Sequence, residues 1–121
     1  MALDRKIWLV DVCNVLDSIA DASVLRDAWS GRSDYPTSPE EIYNEVFNDA
    51  YVGEYGRPEL GLDEAQKAAG KEFVDRMRYF DKLGGPELPW DVVIDHPDWV
   101  KVREAAKRFL DLLRPARKDL G

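Results

Sequence analysis

From Leu3 to Trp29 apolar side chains return with a helical rhythm. Trp8, Val12, Val15, Ile19, Ala22 and Trp29 form one line, and Leu9, Cys13, Leu16 and Ala20 form a second beside it. Two adjacent lines make an apolar arc wider than about 100°, the pattern of a helix packed between other elements. Ile7 to Val12 taken alone would also suit a buried strand. The rhythm nevertheless continues for about four more turns, and no Gly or Pro interrupts it before Gly31. The pattern predicts one central helix over this stretch.

Residues 30–37, Ser-Gly-Arg-Ser-Asp-Tyr-Pro-Thr, are turn formers without periodicity and predict a loop. Ser38-Pro39 then places a good N-cap before a proline at the first helical position, where its missing N–H costs nothing. The helix that follows buries Ile42, Val46, Phe47 and Ala50, with Tyr43 and Tyr51 at its margins, and fades at Val52-Gly53. After a loop over 53–61, Asp63 with Gln66 three residues on caps a third helix, with Ala69, Phe73, Met77 and Phe80 inward. Leu83-Gly84-Gly85-Pro86 ends it. Residues 90–94, Trp-Asp-Val-Val-Ile, are strand-like in composition but have no partner strand, so they predict a short extended segment against the bundle. A last helix opens at Asp95-His96-Pro97-Asp98 and runs through Trp99, Val102, Ala106, Phe109 and Leu113 to Pro115. The expectation is a mainly all-α fold: a single helical domain over 1–121, a compact bundle of about four helices with long connecting loops.

A chain of 121 residues is long enough to bury roughly two-thirds of its unfolded surface without a covalent staple. Cys13 is the only cysteine, so an internal disulfide is excluded, and its place on an apolar face marks it as a core residue. The opening residues suit neither a signal peptide nor a membrane span, and a cytoplasmic home follows as the simplest expectation. The net charge is −7. It is uneven: residues 38–64 hold eight acidic side chains and one Arg, whereas residues 65–121 hold twelve basic and ten acidic ones. Such a chain is repelled by a phosphate backbone, which argues against a nucleic-acid partner.

Leu9-Val10-Asp11-Val12-Cys13-Asn14-Val15-Leu16 superficially resembles the opening motif of haloacid-dehalogenase-type phosphatases. That family has a second Asp two residues after the nucleophile, where this chain has Cys13, and it needs strand–helix repeats downstream that are missing here. No role is carried over from it. His96, the only histidine, stands where a helix begins and reads as a cap-region residue; a lone His also excludes the di-metal carboxylate site of helical bundles. No metal, cofactor or catalytic residue is expected.

Glu41, Glu45 and Asp49 fall at i, i+4 and i+8 and share one face of the second predicted helix. Like charges so spaced cost a few tenths of a kcal/mol per pair. They serve as a solvated face, paired within the chain to Arg103, Lys107 and Arg114, or as a docking face for a basic partner. A hard cation would want carboxylates converging from several directions, which one helix face does not offer. Arg32 and Tyr35 in one loop, with Tyr55 and Arg57 in the next, are residue types that dominate interface hot spots. The candidate binding residues are therefore Glu41, Glu45, Asp49, Arg32, Tyr35, Tyr55 and Arg57. The function expected first is a non-enzymatic, acidic protein docking on a basic protein surface, as an inhibitor, immunity protein, antitoxin or adaptor does. It would act without nucleic acid or membrane. A small enzyme or ligand receptor using buried carboxylates, with Asp11 foremost, is the alternative. A homo-oligomeric structural subunit would follow if the first helix were apolar all round.

Overall fold

The apolar rhythm of residues 3–29 is carried by two helices, not one. In the computed structural model, which describes residues 2–34 and 36–118, α1 spans Arg5–Ala20 and α2 spans Ala22–Trp29. Asp21 makes the break. Its backbone is extended, and its carboxylate accepts from the amides of Ser23 and Val24 and from the Ser23 hydroxyl. A short acidic side chain offers the backbone an alternative to another helical turn, so a helix can restart without Gly or Pro. The predicted inward residues keep their place: Trp8, Leu9, Val12, Cys13, Val15, Leu16, Ile19 and Trp29 are all buried.

Ser38 caps α3 (Pro39–Asn44) by accepting from the Glu41 amide. A π-turn over Glu45–Asp49 extends it, closed by the Ala50 amide donating to the Glu45 carbonyl at 2.8 Å. The inward side chains Ile42, Val46 and Ala50 are spaced by four, and in a regular α-helix each such step drifts about 40° past a full turn. One wider turn offsets that drift, and all three are buried. Short 3-10 turns at Val52–Glu54 and Pro58–Leu60 lead to α4 (Glu64–Lys82). There Asp63 and Gln66 form the expected reciprocal cap, each bond 2.8 Å long. Gly84, left-handed at φ +76°, ends the helix region and enters a further 3-10 turn over Gly85–Glu87.

Two expectations fail here. Residues 90–94 are a helix, α5 (Trp90–Ile94), not an extended segment, and no strand occurs among the described residues. Their composition is β-branched, but Trp90, Val93 and Ile94 lie at i, i+3 and i+4 and pack inward, while Val92 is exposed. The last helix, α6 (Pro97–Lys118), continues through Pro115. Proline removes a single ladder bond near an exposed end, Ala116 still packs on the core, and Arg117 and Lys118 suit the negative helix terminus.

The centre of the bundle is α6 and not the N-terminal stretch. It packs along both α1 and α4 and is antiparallel to each. On one side Asp17 meets Arg114 and Asp21 faces Lys107. On the other Gln66 bonds the Leu112 carbonyl, Phe73 meets Phe109, and Phe80 meets Trp99. The fully buried Trp99 also touches Trp29 and Tyr43, with ring centroids at 5.5 and 6.5 Å. Tyr43 is tied to α4 by a hydrogen bond from its hydroxyl to the Met77 carbonyl, and burial pushes that phenol's pKa well up. Ile19, fully buried on α1, measures how far the α1–α2 unit depends on this packing. Ile19→Ala is expected to lower unfolding free energy by about 2–5 kcal/mol in urea denaturation. A loss below about 0.5 kcal/mol would place the side chain outside the core.

Candidate functional site

The outward line of α1, Asp11, Asn14 and Ser18, has helical spacing and stands next to the buried face. The π-turn brings Glu45 and Asp49 opposite it. Together with Val15 and Ala50 these residues line an open groove of about 350 Å³. Glu45 is half-buried against α1, whereas Asp11 and Asp49 are exposed. Burial pushes the Glu45 carboxyl above the ordinary carboxylate range, and the charges of Asp49 and Glu41 push it the same way. Among the described residues, none of Asp11, Glu41, Glu45 and Asp49 has a basic side chain within ion-pair distance.

None of Arg103, Lys107 and Arg114 of α6 pairs with this acidic row. Arg103 donates to the Ile94 carbonyl at 2.7 Å, and Arg114 reaches Asp17 at 3.5 Å and Asp111 at 3.3 Å. The acidic row of α3 is therefore not an internal ion-pair network. At the end of the groove the chain passes through Tyr51, the one non-glycine residue with positive φ (+52°) among the described residues. Its carbonyl accepts from the Trp8 indole at 2.9 Å, and its side chain is 46% exposed. Left-handed backbone costs a tyrosine roughly 1–2 kcal/mol, so the Trp8 bond holds the segment against its own preference. Ile7, one turn before Asp11 on the same face of α1, is 61% exposed.

The other candidate residues do not join this groove. Arg32 is exposed between α2 and α3, and Tyr35 lies outside the described residues. Tyr55 packs over Gly70, where an added Cβ would come within 3.0 Å of its ring. Arg57 bonds Glu54 at 2.9 Å and Glu59 at 3.4 Å, which makes it a clasp of its own loop. His96 caps α6: its Nδ1 accepts from the Asp98 amide at 3.1 Å, and its ring meets the edge of Phe80. Cys13 is buried, and burial pushes its thiol pKa up, away from the reactive thiolate.

Among the described residues no group of three His, Cys, Asp or Glu side chains is arranged to hold a metal ion. No described helix is long and apolar enough to cross a membrane. Nor is α1 apolar all round, since Lys6, Asp11, Asn14 and Asp17 are exposed. Asn14 and Ser18 were missed by sequence reasoning, although their spacing from Asp11 marks them as one polar line. Compared with family models, curated proteins and solved structures, the chain matches none.

The raised Glu45 pKa has a definite consequence for stability. Folding favours the protonated form, so the contribution is fully present below the unfolded-state pKa and is lost as pH rises through the folded-state value. At neutral pH the ionised carboxylate opposes folding. Glu45→Gln is expected to raise the urea midpoint at pH 7, by an amount comparable to a few tenths of a kcal/mol per relieved like-charge pair. The gain should vanish in acid, where the wild-type carboxyl is also neutral. A variant less stable than wild type at pH 7 would show that an attraction holds Glu45 in its charged form.

Proposed function

We propose that this chain is a non-enzymatic binding protein that docks its acidic α1–α3 groove onto a basic surface of a protein partner, as an inhibitor, immunity protein, antitoxin or adaptor would. The observation that carries this reading is the set of four carboxylates, Asp11, Glu41, Glu45 and Asp49, gathered on one side with no cation paired to them among the described residues. Uncompensated charge at one site opposes folding there and raises the rate at which an oppositely charged surface finds it. Ile7 and Tyr51 supply exposed apolar area beside the charge, the combination of anchor and polar surround found in interfaces.

A pocket carboxylate of raised pKa also suits a general acid, which keeps the small-enzyme reading as the second one. The two readings separate on salt. Affinity capture from the native host, followed by association kinetics of the captured protein, should yield a basic partner. For that partner, changing Glu41 and Glu45 to Gln and Asp49 to Asn should slow association by about tenfold or more at low ionic strength and by far less at high salt. Stability of the triple variant should not fall. An association rate that ignores both the substitutions and the salt would remove the groove from the interface.

A further inference from the structure

A second groove lies on a different face of α1, between the α1–α2 corner and α6. Its volume is about 580 Å³ and its lining holds three carboxylates and three cations, but they are not ion-paired one to one. The Asp21 carboxylate accepts three hydrogen bonds on Oδ1 at the start of α2, which hold its pKa below the ordinary value, so it stays anionic but without a cation in ion-pair distance among the described residues. Asp17 and Asp111 both turn to Arg114. That leaves two cations one turn apart on α6, Arg103 and Lys107.

Arg103 meets only a neutral acceptor, the Ile94 carbonyl, and its Nε–H is buried without a hydrogen-bond partner. Lys107 has no carboxylate within ion-pair distance among the described residues, Asp21 acting on it only at longer range. A guanidinium N–H shielded from water and without an acceptor costs free energy, which an oxyanion in the groove recovers when the Arg103 side chain turns toward it. Arginine's planar fork suits the paired oxygens of a carboxylate or phosphate, and a lysine one turn away adds a mobile point charge. Opposite them Ala20 and Ala22, both small, leave room in the groove. Its volume lies within the range of small-molecule sites, about 300–1,000 Å³.

We propose that Arg103 and Lys107 hold the oxyanion group, carboxylate or phosphate, of a small ligand seated against Ala20 and Ala22. The site is independent of the acidic groove and of the function proposed for it. The test is a proton–nitrogen NMR titration of the full chain with sodium phosphate and, separately, sodium acetate, with ionic strength held constant by sodium chloride. The Arg103 Nε–H resonance and the Ala20 and Ala22 amides should move together and saturate. Saturation with phosphate alone identifies a phosphoryl group, with acetate alone a carboxylate, and with both the shared chemistry.

Lys107→Met should weaken that binding by about tenfold, as expected for one charge-assisted contact. Asp111→Asn, in the same groove but on the Arg114 side, should not weaken it. Shifts that stay linear with both anions, or that are unchanged in Lys107→Met, overturn the proposal. If that variant loses its native spectrum, Lys107→Gln under the same titration decides on the same criteria.

Discussion

The antiparallel packing of α6 between α1 and α4 is the contact on which the rest of this molecule depends. Each of those helices has a broad apolar face and needs a wall, and α6 provides one to each with side chains that are themselves fully buried, Trp99, Val102, Ala106, Phe109 and Leu113 among them. Trp99 joins the layers, since its ring meets α2 through Trp29, α3 through Tyr43 and α4 through Phe80. With α1 and α4 placed by this shared wall, α3 docks through Tyr43 on the α4 backbone, and its far side comes to rest beside the outward line of α1. The acidic groove is thus a consequence of the core, lying between two elements that are distant in sequence.

Within the groove, packing and electrostatics pull in opposite directions. The apolar spacing of Ile42, Val46 and Ala50 is accommodated by a π-turn, and the same turn seats Glu45 partly under cover beside Asp49. Single-turn π segments are found disproportionately at functional sites, because the wider turn places a side chain where an α-helix would not. A left-handed tyrosine follows directly, held by the Trp8 indole. Both features lower stability locally, and both concentrate on the edge where charge is left without a counter-ion. Strain and charge thus coincide at this groove, whereas Glu72, Asp75 and Asp98 each have a cation at hand.

How much of this was legible in the chain depended on the range of the forces. Local signals were read directly: Ser38-Pro39, the Asp63–Gln66 pair and the Gly84-Gly85-Pro86 stop are written within a few residues of the turns they cause. Asp21 is equally local, but it breaks the helix without the Gly or Pro that ordinarily signals a stop, because a carboxylate that takes two backbone amides ends and restarts a helix as well. Residues 90–94 misled because β-branched composition outweighed an i, i+3, i+4 pattern in a segment too short to average. The acidic row on α3 was visible as spacing, but that it faces Asp11 and not Arg103, Lys107 and Arg114 is a property of the tertiary packing. Tyr55 and Arg57 show the converse: interface-type residues by composition, they are used up by Gly70, Glu54 and Glu59.

The account stands on one electrostatic claim, that the α1–α3 groove holds negative charge that the fold does not neutralise. A carbon-13 NMR titration of the Glu45 side-chain carboxyl in the intact chain reads that charge at its most buried point. Desolvation and the fields of Asp49 and Glu41 place its midpoint above that of an ordinary glutamate. A midpoint at or below the ordinary value would mean that a cation or a set of hydrogen bonds already satisfies the carboxylate, and the groove would then have no charge to offer a partner.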